Sequence, residues 1–155
     1  MRVAIGSDHA GFELKERLER TLEGWGHEVE DLGTHSTEPV DYPAFCFATA
    51  ERVARGAADR GVVLGGSGIG EAIAANKVVG IRAAVVTSEQ TARLSRMHND
   101  ANVLALGART NPDHDQVVQW LKIWLDTPFE GGRHVARIAQ IAAYEAALRT
   151  GGLGV

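Results

Sequence analysis

The chain is poor in several features that mark large protein classes. It holds one cysteine in 155 residues, so no intramolecular disulfide can form. Cys46, flanked by Ala44, Phe45, Phe47 and Ala48, reads as a small buried thiol, and its lone presence fits a reducing cytoplasm. No apolar run approaches the ~20 residues that cross a bilayer, so no membrane role is expected. Met1–Gly6 reads as a first strand rather than a signal peptide. The net charge of −4 gives no electrostatic support to a nucleic-acid partner. Lysine is scarce, three against thirteen arginines; most of that bias is compositional, but an arginine fork suits phosphate or carboxylate. No pair of histidines, cysteines or carboxylates has metal-ligand spacing, so neither metal nor cofactor is expected. Internal repeats and linkers are also lacking. Residues 1–150 read as one domain and 151–155 as a flexible tail.

What is present is a regular alternation. Strand-like runs fall at Arg2–Gly6, Glu28–Leu32, Gly61–Leu64, Arg82–Val86 and Val103–Leu106, several without polar alternation, as in strands buried on both faces. Helical spacing marks Phe12–Gly24, Tyr42–Arg55, Gly70–Asn76, Glu89–His98, Pro112–Leu125 and Arg133–Arg149. The alternation predicts an α/β three-layer sandwich, a five-stranded parallel sheet with right-handed crossovers. Ligands in such folds bind beyond the carboxyl ends of the strands. The residues to inspect are therefore Ser7-Asp8-His9, Gly33-Thr34-His35 leading to Asp41-Tyr42-Pro43, the run from Gly65, Thr87-Ser88, and Gly107-Ala108-Arg109.

The run Gly65-Gly66-Ser67-Gly68-Ile69-Gly70-Glu71 follows the apolar Val62-Val63-Leu64. A buried strand empties into a glycine loop and the loop into a helix. Uncovered backbone N–H groups and a helix N-terminus suit an anion, or an oxygen that becomes anionic during a reaction. Glu71 places a carboxylate at the mouth of that loop. The spacing fails the dinucleotide fingerprint G-x-G-x-x-G, the hydrolase elbow G-x-S-x-G and the phosphate loop G-x-x-x-x-G-K-[ST], which weakens nicotinamide, serine-hydrolase and nucleotidase readings.

Other pieces stay open on local sequence alone. Asp8-His9 fits an acid/base pair, and equally a helix cap followed by a solvated histidine. His98-Asn99-Asp100 fits a general acid/base near neutral pH, or a C-cap with Asn99 in a left-handed turn. Arg133 and Arg137, four apart, share a helix face and could grip a phosphate or simply be solvated; Val135, Ile138, Ala139 and Ala142 mark the opposite, buried face.

Taken together, Gly6-Ser7-Asp8-His9-Ala10-Gly11, Asp41-Tyr42-Pro43, Gly66-Ser67-Gly68-Ile69-Gly70, Ala74-Ala75-Asn76-Lys77, His98-Asn99-Asp100-Ala101-Asn102 and Gly107-Ala108-Arg109 resemble the type B ribose-5-phosphate isomerases, in the family shared with galactose-6-phosphate isomerase. The resemblance spans most of the chain in order and spacing. It implies a Rossmann-like fold, no metal, and a homodimer or dimer of dimers whose active site is completed across the interface. It implies a cytoplasmic enzyme of the pentose phosphate pathway that interconverts ribose 5-phosphate and ribulose 5-phosphate through an enediolate. In the family the histidine matching His98 opens the sugar ring and the glycine loop, here Gly66, Ser67, Gly68, Ile69 and Gly70, stabilises the enediolate. The matches to Arg109, Arg133, Arg137 and His9 hold the phosphate, and Asp8, Tyr42, Ser67 and Asn99 would contact sugar hydroxyls or the ring oxygen.

One departure matters. Many members carry a cysteine as catalytic base where this chain has Gly65, and glycine cannot abstract a proton. Glu71 resembles the base of the branch typified by mycobacterial enzymes, while the Gly33–Pro43 connection looks like that of the cysteine type. Cys46 is distant in sequence. The resemblance thus casts Glu71, His98 and Ser67 as catalytic. Burial should raise the pKa of Glu71. The rival readings are the same chemistry on erythrose 4-, allose 6- or galactose 6-phosphate, and a noncatalytic sugar-phosphate-binding protein.

Overall fold

The computed structural model describes residues 1–151. Of the expected tail, residues 152–155 lie outside the described residues. The elements run β1 (Arg2–Ser7), α1 (Phe12–Gly24), β2 (Glu28–Asp31), α2 (Pro43–Ala54), β3 (Arg60–Gly65), α3 (Ile69–Ala75), β4 (Ala83–Val85), α4 (Glu89–Asn99), β5 (Val103–Gly107), α5 (His114–Asp126) and α6 (Arg133–Arg149). The five strands are all parallel, in the order β2-β1-β3-β5-β4. The expected α/β sandwich is therefore present.

Strand alternation sorts the core into two unequal faces. Val62 and Leu64 of β3 and Leu104 and Leu106 of β5 point to one face, against Leu14, Leu18 and Leu22 of α1 and Val117, Leu121 and Trp124 of α5. Val63, Val103 and Ala105 point to the other, against Cys46 and Ala50 of α2 and Ala72, Ala74 and Ala75 of α3. Small residues on that second face let α2 and α3 approach the sheet closely. The edge strands depart from the expectation of full burial: β2 is half-buried with alternating exposure, and β4 is short and half-buried. Arg82, expected in β4, instead turns its guanidinium onto the carbonyls of Asn99 (2.8 Å) and Asp100 (2.9 Å).

Strand order reverses direction between β1 and β3, since β1 leads outward to β2 while β3 opens the other half of the sheet. Helix α6 overturns the expected buried face. Val135 is 53 % exposed, Ala139 and Ala142 are exposed and Ile138 half-buried; His134 is the buried residue of that helix. Little of the described chain packs against α6, so its apolar stripe stays uncovered.

Leu104, fully buried on β5, tests this layering. Leu104→Ala should lower unfolding free energy by about 2–5 kcal/mol in a urea titration, through lost burial and a cavity that neighbours fill incompletely.

Candidate active site

The carboxyl ends of β1, β3 and β5 meet with no space for side chains between them. Gly68 has φ +78°, a backbone shape that favours glycine, and a Cβ there would lie 2.9 Å from the carbonyl carbon of Leu106. The carbonyls of Gly65 and Gly66 are taken by the amides of Ala108 (2.8 Å), Arg109 (3.0 Å) and Thr110 (3.2 Å). This turns the loop's acceptors away from its concave side. The Ile69 amide donates to Ser67 Oγ at 3.2 Å. Among the described residues the N–H groups of Ser67 and Gly70 have no protein acceptor. They remain available to an incoming oxygen anion at the N-terminus of α3.

Glu71 sits in the first turn of α3 and is 3 % exposed. Its carboxylate fills the space a side chain at position 65 would need: a Cβ on Gly65 would overlap Oε1. Oε2 is buried without a hydrogen-bond partner. Desolvation pushes the carboxyl pKa up, the charge of Asp8 adds to that, and the backbone amides of Glu71 and Gly68 pull partly back. The expected rise of the Glu71 pKa on burial is present.

Asp8, at the end of β1, is buried and accepts from the amides of Ala10 (2.9 Å) and Gly11 (3.1 Å). It therefore does cap the turn into α1, while its charge reaches Glu71. His9 holds its Nδ1 3.2 Å from the backbone nitrogen and oxygen of Val40, pinning the loop that leads to Tyr42. Tyr42 packs on Gly70, where a Cβ would lie 2.7 Å from the phenol oxygen. The side chain of Arg109 lies beside Gly66. Asp8, Tyr42, Gly66, Ser67, Gly68, Gly70, Glu71 and Arg109 thus gather where the strand order reverses, with Ile69 exposed at the rim. Sequence distance hid Cys46: it lies close enough for the charges of Glu71 and Asp8 to act on it. Burial drives its thiol up to about 12, so it is protonated at neutral pH and unsuited to act as a base.

His98, Asn99, Arg133 and Arg137 are elsewhere. Each crossover helix runs back against the strands, so His98, in the last turn of α4, reaches the amino end of the sheet, just before β5 begins. Helix α5 returns from the carboxyl end to the same side, and α6 starts there with Arg133. Inspection of the carboxyl rim alone misses this second group, because helix direction rather than loop chemistry places it. His98 stacks on His134, ring centroids 4.3 Å apart and 13° from parallel. His134 was not singled out in the sequence, where nothing distinguishes it from a surface histidine. Its pKa is lowered by burial first, then by His98, Arg133 and Arg137. Asn99 lines a groove of about 450 Å³ with Arg82, Ile138 and Ile141. The left-handed residue at this helix end is Asp100, φ 44°, rather than Asn99. Arg96, nearly fully buried, ties the end of α4 to Thr127 and Ala101 through their carbonyls (3.2 and 2.8 Å).

Residues 3–141 match the ribose/galactose isomerase family. The chain belongs to that family. It is 46 % identical over 150 residues to the ribose-5-phosphate isomerase B of Mycolicibacterium paratuberculosis, covering 94 % of this chain and 92 % of that one. It superposes on the ribose-5-phosphate isomerase B of Clostridium thermocellum with TM-score 0.93 and 49 % identity, covering 96 % of this chain and 99 % of the other. It also superposes on the Mycoplasma genitalium ribose-5-phosphate isomerase B with bound ribulose-5-phosphate, with TM-score 0.90 and 39 % identity over 94 % and 96 % of the two chains. As a ribose/galactose isomerase family member the chain is a sugar-phosphate isomerase.

The raised pKa of Glu71 has a consequence for folding. The folded state favours the protonated carboxyl, so ionisation opposes folding as pH rises through the folded pKa. Glu71→Gln removes that opposition. The variant should melt at the same or a higher temperature than the parent at pH 8, and the gap should shrink as pH falls towards the range where carboxyls protonate. Differential scanning calorimetry across pH measures both; a variant less stable at pH 8 than at pH 5, relative to the parent, contradicts it.

Proposed function

We propose that this chain interconverts D-ribose 5-phosphate and D-ribulose 5-phosphate through an enediolate, with Glu71 as the base. The observation that carries the reading is the buried carboxylate of Glu71, one oxygen without a partner, set beside open loop amides in a member of this family. His98 opens the furanose. Glu71 removes the proton from C2 and returns it to C1, while the hydroxyl proton passes from O2 to O1 beside Ser67. Negative charge on those oxygens meets the amides of the Ser67–Gly70 turn, a kind of contact typically worth ~3–4 kcal/mol per donor in the transition state. Arg109, Arg133, Arg137 and His9 hold the phosphate, and Asp8, Tyr42 and Asn99 the sugar hydroxyls, which aligns C1 and C2 with Glu71.

The working unit in this reading is a homodimer, alone or paired, in which each site takes Glu71 and the glycine loop from one chain and His98, Asn99, Arg133 and Arg137 from the other. Two facts support it. The two groups occupy opposite ends of one chain, and α4 alone spans about 16 Å between them at 1.5 Å per residue. Ile69 and Ile73 of α3 and Val135, Ile141, Tyr144 and Leu148 of α6 are exposed apolar residues that a second copy would cover. No described helix is long and apolar enough to cross a membrane. A cytoplasmic location completes the reading, where one reduced cysteine is stable.

Glu71→Gln should lower turnover roughly 100- to 10,000-fold with phosphate-ligand affinity largely kept. Because the carboxylate must be ionised to act, the acid limb of kcat/KM should lie above the ordinary glutamate pKa of about 4.3 and shift in Glu71→Asp. Rates on four-, five- and six-carbon aldose phosphates, with deuterium uptake at C1 of the ketose, test substrate and chemistry together. Highest kcat/KM on a six-carbon phosphate would replace the ribose reading, and binding without proton exchange would replace the enzyme reading.

Subunit exchange tests the shared site. A dimer of one Glu71→Gln chain and one His98→Asn chain holds one doubly altered site and one intact site. Random mixing of the two inactive variants should restore about a quarter of parental activity. No recovery after demonstrated exchange places Glu71 and His98 in the same chain's site.

A further inference from the structure

We propose that His98, Glu130 and His134 form a site for a borderline divalent cation, Zn²⁺ above all, and that filling it silences the isomerase reversibly. Silencing follows from the ring-opening role given to His98; binding stands without it. The ligand atoms of the three side chains lie within 4.8 Å of one another. Nε2 of His98 is 3.5 Å and Nε2 of His134 is 3.9 Å from the same oxygen, Oε2 of Glu130. These separations are too long for good hydrogen bonds. Among the described residues no other polar group bonds either imidazole.

Tetrahedral zinc with ligands at 2.0–2.1 Å sets ligand atoms roughly 3.3 Å apart. Closing the two carboxylate separations needs about 0.6 Å at most, and the imidazole nitrogens, within 4.8 Å of each other, need up to about 1.5 Å, which the His98 ring supplies by tilting out of its stack on His134. The cluster can give that much. Glu130 is 54 % exposed and His98 34 %, whereas His134 is 7 % exposed and fixed. The backbone supports the arrangement: the Glu130 amide donates to the Met97 carbonyl at 3.0 Å, tying the approach to α6 onto the last turn of α4. Two imidazoles and one carboxylate select Zn²⁺, Co²⁺ or Ni²⁺ over Mg²⁺ and Ca²⁺, which prefer oxygen. Three protein ligands leave a fourth position open on the exposed side. Arg133 and Arg137 work against a cation here, but both are exposed and screened by solvent and salt. A metal on Nε2 of His98 removes the lone pair needed for proton transfer, so the cation and the sugar ring compete for one nitrogen.

The test is isothermal titration of the intact protein with Zn²⁺, and Co²⁺ absorption for coordination geometry. One ion per chain is expected, with tetrahedral-type visible bands. Loss of an outer partner alone costs 10–100-fold in metal affinity, so E130Q and H134Q should each weaken binding at least tenfold. Unchanged affinity in both variants, or no binding by the parent, overturns the site. Isomerase rates before Zn²⁺, after Zn²⁺ and after EDTA test the silencing. The parent should lose and regain activity, and E130Q should turn over without zinc and resist it at the same concentration. A zinc-loaded parent that keeps full activity overturns silencing. A parent inactive on every sugar phosphate even with EDTA contradicts the proposed reaction and the silencing built on it, and leaves the titration to judge the site by itself.

Discussion

Three strand ends packed without intervening side chains control the geometry of the carboxyl rim. Gly11 lies against Leu64 and Gly65, Gly68 against Leu106 and Gly107, and Gly107 against Ser67. Close backbone approach of this kind makes the loop after β3 rigid, because any added methyl group would push neighbouring strands apart. The loop's carbonyls are then committed to the turn after β5, and its amides are left facing outward. Packing at the top of the sheet and the direction of the loop's dipoles are therefore one fact rather than two.

Glu71 depends on that rigidity and strains against it. A carboxylate with one oxygen unsatisfied in a dry site opposes folding when ionised, and an ordinary helix would place such a residue in solvent. Here the residue sits on the N-terminal turn of α3, whose partial positive charge and the amides of Gly68 and Glu71 offset part of the desolvation. The balance leaves the group more basic than a surface glutamate without neutralising it by an ion pair. Cys46 and Asp8 sit within the same electrostatic neighbourhood but resolve it differently, one by staying protonated and the other by accepting two backbone amides.

Much of the architecture was legible in the sequence because the signals were local. Apolar runs without alternation marked the central strands, and helix edges fell within a residue or two of their observed limits, as with Phe12–Gly24 and Arg133–Arg149. The glycine loop and Asp8 were legible for the same reason, since each follows a strand in the chain. What the sequence did not expose was placement in three dimensions. His98 and Arg133 carry polar signals as strong as those of Asp8, yet the return direction of α4 and α5 carries them to the other end of the sheet. The apolar stripe of α6 has helical spacing whether or not anything covers it, so periodicity alone suggested a buried face where the chain leaves Val135, Ala139 and Ala142 in the open. The His98–His134 stack arises between helices distant in sequence, and no spacing rule reports it.

The overlap between a side chain at position 65 and the Glu71 carboxylate constrains how this family can diverge. Positions 65 and 71 compete for one volume, so a chain of the cysteine type and a chain of this type cannot be joined by simply adding the second base before losing the first. A cysteine arriving at 65 evicts the carboxylate from its place under the loop. With Glu71 as the proposed base, losing it first leaves neither base. Under the proposed mechanism each single step would pass through a chain with a displaced or missing base, and the two positions are coupled for a steric reason. The same volume therefore holds one of the two side chains at a time, and a chain carrying both in place would need the loop after β3 to be rebuilt.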